Sequence, residues 1–223
     1  MGYPFNSERK AKVMVVDDHA IIRQGMFMLI NREPDLHACC EAADIEQALE
    51  ANRACRHDIA IVDMSLDNAS GLELVRRFQF LFPELPVLIL SMHDESIYAE
   101  AALKAGARGY LMKQMATDVL LYAVRQILKG ELYVSDRMHS RMLKKMMGGA
   151  KSDSPVGHLS PAELEVLHLV GLGMGTSEIA EKLTRSIKTI ESHKANIKKK
   201  LDLDSGNQLT LFAINLVSSR VGG

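Results

Sequence analysis

The amino-acid sequence predicts an α/β protein with a second, all-α part: a five-stranded doubly wound parallel sheet followed by a small helical domain. Three observations carry that prediction. Through the first half, short runs rich in Val and Ile alternate five times with longer segments of helical period. After Gly130 the rhythm stops, and from Leu159 onward only helical patterns follow, each opened by Ser or Thr. At 223 residues and 47% hydrophobic content, the chain can build two domains with real cores.

"KVMVVD" (12–17) precedes "AIIRQGMFMLIN", whose Ile21, Ile22, Met26, Leu29 and Ile30 predict one apolar side. "LHACCEA" (36–42) precedes "IEQALEANRAC", and "DIAIVDM" (58–64) precedes "GLELVRRFQFLF". "PVLILSM" (86–92) precedes "ESIYAEAALKAG", and "RGYLMK" (108–113) precedes "TDVLLYAVRQILKG". Short, continuously apolar strands are covered on both faces, and alternation with helices requires parallel pairing through right-handed crossovers. The result is a flavodoxin-like sheet, which binds ligands beyond the carboxyl ends of its strands near the switch point.

Those carboxyl ends carry chemistry. The first strand runs into the adjacent carboxylates Asp17 and Asp18, the third ends at Asp63, the fourth at Ser91, and Lys113 follows the fifth. In a parallel sheet all of them meet at one edge. Three carboxylates repel one another unless a cation intervenes, and an all-oxygen acidic set suits Mg²⁺. Asp63 can attack phosphorus to form an acyl phosphate, Ser91 can donate to a phosphoryl oxygen, and Lys113 supplies a mobile positive charge.

On "VVDDH", "IVDMSLDNASGLEL", "LILSMHD" and "KAGARGYLMK", the first roughly 130 residues resemble the receiver domain of two-component response regulators. The resemblance implies that Asp63 is the phosphoacceptor, fed by a sensor histidine kinase. It implies that Asp17, Asp18, Asp63 and the backbone carbonyl of Ser65 bind Mg²⁺. Ser91 and Tyr110 are then the switch pair, and Lys113 senses the phosphate. Asp67 and Gln114 stand where many receivers carry Pro. A Mg²⁺-dependent phosphohydrolase would share this chemistry, but such enzymes often carry an acid two residues after the nucleophile, where this chain has Ser65. A regulator rather than an enzyme is expected.

"DRMHSRMLKKMM" (136–147) predicts one more helix, with Met138, Met142, Leu143 and Met146 as packing residues. "GGAKSDSPVG" (148–157) reads as a flexible linker. In the last part, "SPAELEVLHLVG" opens with Ser160 as cap, Pro161 next and Glu163 third, a capping box. Helices starting at Thr176, Ser186 and Ser205 follow. The helix from Ser186 sets Ile190, Ile197 and Leu201 against Lys188, Lys194, Lys198, Lys199 and Lys200, so it can bury one face and offer the other to phosphates. A short helix and a tight turn precede it, which is a helix-turn-helix arrangement.

The stretch from Leu159 to about Val217 resembles the LuxR-type helix-turn-helix, joined here to a receiver as in the NarL/FixJ regulators. The expected organisation is a receiver over 1–131, a linker helix and flexible linker over 132–157, and a DNA-binding domain over 158–223. Lys188, Thr189, Glu191, Ser192 and Lys194 are expected to face double-stranded DNA, with His193, Lys198 and Lys199 on its backbone. The family's last helix implies a homodimer on DNA, through Leu209, Phe212 and Leu216 among its apolar residues. Ala162, the Gly175-Thr176-Ser177 turn and Glu191 depart from residues common in relatives, and Glu191 can accept from a cytosine amino group.

Composition excludes less. The net charge of −1 neither suggests nor excludes nucleic acid. Three cysteines without a CxxC spacing argue against a disulfide framework or a zinc site and for small packed residues in a reducing compartment. With no apolar run of membrane-spanning length, a soluble cytoplasmic protein is expected.

Overall fold

The computed structural model describes residues 9–66, 69–92, 95–115, 117–146, 156 and 159–218. In chain order they form β1 (Ala11–Val16), α1 (Ala20–Asn31), β2 (Leu36–Ala42), α2 (Ile45–Ala54) and β3 (Ile59–Asp63). Next come β4 (Ser65–Leu66), β5 (Ala69–Ser70), α3 (Gly71–Leu81), β6 (Val87–Ser91), α4 (Glu95–Ala105), β7 (Gly109–Met112), α5 (Thr117–Leu128) and α6 (Asp136–Met146). The chain continues as α7 (Pro161–Gly171), α8 (Thr176–Lys182), α9 (Ile187–Leu201) and α10 (Gly206–Ser218). It divides into two compact units, Met1–Gly149 and Ala150–Gly223.

In the first unit, five strands pair in parallel in the order β2-β1-β3-β6-β7. Chain order reverses between β1 and β3, so the switch point falls where Asp17 and Asp63 emerge. Alternate strand residues feed two cores. Val13, Val15, Ile59, Ile61, Leu88 and Leu90 join Ile30 of α1 and Leu120, Val124 and Ile127 of α5. Met14, Val62 and Ile89 are equally buried on the other face. The five predicted strand-helix units are all present, and the β4–β5 hairpin is an addition the sequence pattern did not reveal.

Some expected packing differs. Ile21 is 75% exposed and Ile22 is exposed as well, and the helix packs through Met26, Phe27, Leu29 and Ile30 instead. The helix read as part of a linker, α6, lies in the first unit. It buries Met138, and Arg141 donates to the Ser96 carbonyl at 2.9 Å, while Leu143 faces outward. The Gly- and Ser-rich stretch after it lies outside the described residues apart from Val156. All three cysteines are free, and burial pushes the Cys39 thiol up to about 12.

The described residues of the second unit form four helices, α7 to α10. The Ser160 hydroxyl accepts from the Glu163 N–H at 3.3 Å, and the Glu163 carboxylate accepts from the Ser160 N–H at 2.6 Å, closing the capping box on α7. The helix expected to start on a Thr176 cap is capped one residue earlier: Glu178 reaches back to the Gly175 N–H, which leaves Thr176 as the first helical residue.

Glu163 also takes the Lys200 ammonium at 2.7 Å, tying α7 to α9. Burial pushes its carboxyl up, but Lys200 and Ser160 outweigh burial and hold it below its ordinary value. A depressed carboxyl stabilises the fold above its unfolded value, about 4.3, and that contribution is lost as pH falls through the folded value. Glu163→Gln is expected to flatten the acid limb of thermal stability below the unfolded value of about 4.3 relative to wild type. An unchanged limb in pH-dependent melting would show that the ion pair contributes nothing.

Candidate functional site

At the carboxyl edge of the sheet, the Lys113 ammonium lies 2.8 Å from Asp17 Oδ2 and 2.8 Å from Asp63 Oδ2. Asp17 and Asp63 are 1% and 5% exposed, so this bridge is taken out of water. The parallel register explains the convergence. Val62 lies beside Val16, Asp63 beside Leu90, and Ser91 beside Met112, which brings the last residue of β3 next to the residues that follow β1 and β7. The Lys113 N–H donates to the Ser91 carbonyl at 2.8 Å and fixes where the lysine leaves the sheet.

Charge in the bridge is unevenly balanced. Burial pushes the Asp63 carboxyl above its ordinary value, with Lys113 and the Ser65 N–H pulling the other way and Asp17 adding to the rise. Burial pulls Lys113 down, yet hydrogen bonds to Asp17 and Asp63 outweigh it and leave the ammonium above its ordinary value. Lys113 faces two carboxylates, whereas Asp63 faces one ammonium and one like charge.

Asp18 completes the set. One carboxylate oxygen each from Asp17, Asp18 and Asp63, with one His19 ring nitrogen, lie within 4.8 Å of one another. His19, directly after the acidic pair, has no signal in the sequence pattern that marks it as a member of the site. Its Nδ1 lies 2.8 Å from Asp18 and 3.3 Å from Asp17, and the Asp18 contact pushes it above its ordinary value. Arg23, also unforeseen, donates to the carbonyls of Asp17 and Asp18 at 2.7 and 3.2 Å, fixing the backbone that presents both carboxylates. Ser91 and Tyr110 are fully buried on neighbouring strands, where Tyr110 pairs with Ile89, two residues before Ser91. The Lys113–Gln114 peptide is trans. Asp67 lies outside the described residues.

Below Asp63 the backbone turns back through the β4–β5 hairpin, and the Gly71 N–H donates to the Met64 carbonyl at 2.8 Å. A Cβ on Gly71 would stand 2.1 Å from the Asp63 carbonyl oxygen. The atoms it would meet are all backbone of Asp63 and Met64 and leave little to yield, so Gly71→Ala is expected to cost about 1–3 kcal/mol in urea unfolding. Wild-type stability in that variant would show that α3 shifts freely.

In the second unit, α8 and α9 meet through a turn in which Thr184 takes a left-handed conformation at φ 50°. The Ser186 hydroxyl accepts from the Thr189 N–H at 3.1 Å and caps α9. Ile190 and Ile197 are fully buried, as expected. Lys188, Glu191, Ser192 and Lys199 are exposed at spacings that share one face, and Ala195 and Asn196, not anticipated, are exposed between them. Thr189, His193, Lys194 and Lys198 are half-buried. The Lys194 ammonium donates to Thr176 Oγ1 at 2.9 Å, and burial pulls it below its ordinary value. Lys200 is exposed but its ammonium is paired with Glu163. On α10, Leu209 is 2% exposed inside the unit and cannot form an external patch as expected. Phe212 and Leu216 are half-buried, and the outward apolar residues are Leu211 and Ile214.

A doubly wound sheet with an acidic edge and a helix-turn-helix in one chain defines a class: DNA-binding proteins that answer a signal. The response regulator receiver domain profile matches residues 13–125, and that of the luxR family of bacterial regulatory proteins matches residues 157–213. The oxygen regulatory protein NreC of Staphylococcus haemolyticus is 37% identical over 209 residues, spanning 91% of this chain and 96% of that protein. RcsB of Salmonella enterica serovar Typhimurium, solved bound to the promoter P1flhDC in the presence of the phosphomimetic BeF3−, superposes with a TM-score of 0.70 at 30% identity, covering 95% of this chain and 100% of RcsB. A structure of two RcsB dimers bound to two parallel DNAs superposes with a TM-score of 0.56 at 29% identity, over the same shares of the two chains. The chain belongs to the two-component response regulators with a LuxR-type DNA-binding domain, and its function is phosphorylation-dependent control of transcription. No described helix is long and apolar enough to cross a membrane.

Proposed function

We propose that Asp63 accepts a phosphoryl group from a sensor histidine kinase and that this event sets the affinity of α9 for operator DNA, bound by a dimer of the chain. The observation that carries the reading is the buried bridge from Asp17 through Lys113 to Asp63, in the same chain as the exposed face of α9. A carboxylate oxygen of Asp63 attacks phosphorus, a P–O bond forms, and the P–N bond to the donor histidine breaks. The acyl phosphate carries more negative charge than the carboxylate. Lys113 follows it from Asp63 to a phosphoryl oxygen, and the Ser91 hydroxyl, two register positions from Tyr110 on the neighbouring strand, donates to another.

The donor set fits a hard divalent cation, since Asp17, Asp18 and Asp63 bring carboxylate oxygens together and leave their repulsion only partly offset. These three, with the backbone carbonyl of Ser65, would hold Mg²⁺, which supplies charge neutralisation for the incoming phosphoryl group. On α9, Lys188 and Lys199 are placed for phosphate contact and Glu191, Ser192 and Asn196 for base edges. Thr189, His193, Lys194 and Lys198 flank this face, Lys194 once it releases Thr176. Phe212, Leu216, Leu211 and Ile214 of α10 make the dimer contact, as the dimeric state of RcsB on DNA supports.

The experiment measures affinity for DNA selected from a random pool, before and after acetyl phosphate treatment in Mg²⁺. Tighter binding, with a paired half-site operator, is expected after phosphorylation. Equal affinity in both states would overturn the gating.

A further inference from the structure

A second cluster sits away from the carboxylate edge, on the α2 side of the sheet. Between β1 and β2 the register slips: Val13 pairs with Ala38 and Met14 with Cys40, which leaves Cys39 as an extra residue in β2. Adjacent strand residues ordinarily point to opposite faces, but a bulge re-aims one of them. Here it brings the two neighbouring thiols to a common partner. One atom each from Cys39, Cys40 and His57 lie within 4.8 Å of one another.

His57 supplies the independent sign. It is 8% exposed, and its Nδ1 lies 2.9 Å from Oδ1 of the buried Asn52. The His57 backbone N–H approaches the same oxygen at 3.4 Å. An amide oxygen only accepts, so Nδ1 carries the proton, and in the neutral ring Nε2 then presents a lone pair. That Nε2 is buried with no hydrogen-bond partner. An imidazole fixed through Nδ1–H to a carbonyl, with Nε2 free, is the arrangement that orients a metal-ligating histidine.

We propose that Cys39, Cys40 and His57 form a binding site for a thiophilic divalent cation of the Zn²⁺ class. Two thiols and an imidazole are soft and borderline donors, unlike the all-oxygen Mg²⁺ candidate. Binding releases the two thiol protons to solvent, and two thiolates neutralise the cation without any change of oxidation state. A tetrahedral zinc site holds such atoms about 3.5–3.8 Å apart, so closure takes side-chain adjustments of about 1 Å. Cys55 is not one of the ligands: the Lys12 ammonium lies 3.3 Å from its sulfur. The fourth position is open to water or another ligand.

The test titrates the full, reduced chain with Co²⁺ in excess Mg²⁺, so that the carboxylates are already occupied. One equivalent is expected to produce sulfur-to-cobalt charge-transfer absorption. The band is lost in Cys39→Ser and Cys40→Ser, and His57→Gln weakens binding at least about ten-fold. Cys55→Ser and Asp18→Ala keep the band. Wild type gives a second measurement that needs no variant: Zn²⁺ should protect Cys39 and Cys40 from alkylation, mapped by peptide mass spectrometry, while Cys55 reacts at its metal-free rate. No charge-transfer band in wild type, a band surviving Cys40→Ser, or protection confined to Cys55 would overturn the assignment.

Discussion

Asp63→Asn is expected to reduce acetyl phosphate labelling to background while raising the stability of the chain in Mg²⁺-free buffer. The first effect follows from removing the attacking carboxylate. The second follows from the site's electrostatics. Burial and Asp17 hold the Asp63 carboxyl above its ordinary value despite Lys113 and the Ser65 N–H. A carboxyl raised in the folded state contributes stability below its unfolded value, about 3.9, and loses that stability as pH rises through the folded value. At neutral pH the charged form is therefore a net burden on the fold. Asn keeps the shape, removes the charge and leaves Lys113 its contact with Asp17 at 2.8 Å. Urea unfolding across pH checks this: wild type should approach the variant's stability as pH falls, and the two should diverge toward neutrality. Labelling that persists in the variant identifies a different nucleophile. Equal stability at neutral pH would mean that Lys113 already offsets the cost in full.

Much of this site was legible because the sheet is parallel. Once each apolar run is followed by a helix, every strand must end on the same side, and Asp17, Asp63, Ser91 and Lys113 converge by topology alone. What topology does not encode is the company each residue keeps. The Lys113 bridge to both Asp17 and Asp63 depends on register at a scale the pattern cannot resolve. Gly71 reads as an ordinary helix start, and only three-dimensional proximity shows that a Cβ there would collide with the Asp63 carbonyl. Leu209 and Leu211 are indistinguishable by composition, yet one packs inside and the other faces out, because a two-residue step on a helix turns the side chain by more than half a circle. The grouping of the cysteines with His57 escapes the sequence for a similar reason. Metal spacings assume regular geometry, whereas a single bulge in β2 joins Cys39 and Cys40 to a histidine 17 residues further on. The basic stripe on α9 is likewise only partly available, since Lys200 and Lys194 already have protein partners.

Lys113 gives the sharpest separation between structural and signalling roles. Its side chain is 14% exposed and lies against carboxylates that are 2% and 6% exposed. Lys113→Met preserves the aliphatic stem and deletes the ammonium, leaving two buried carboxylates facing one another. Removing one partner from a buried ionic set typically costs about 3–5 kcal/mol, and that loss is expected here in Mg²⁺-free buffer at neutral pH. Two rescues distinguish electrostatics from lost packing. Mg²⁺ should restore most of the stability, because a cation held by the same carboxylates replaces the missing charge. Asp63→Asn should do so without metal, because it removes the repulsion at its source, so the double variant should be more stable than Lys113→Met alone. Phosphorylation separates the roles further. With Mg²⁺ present the nucleophile is intact and Lys113→Met should still take label from acetyl phosphate. The acyl phosphate would then lack its ammonium partner, and DNA affinity should no longer respond to it. Destabilisation that neither Mg²⁺ nor Asp63→Asn relieves would assign Lys113 to packing, and a DNA response that survives in Lys113→Met would remove it from the switch.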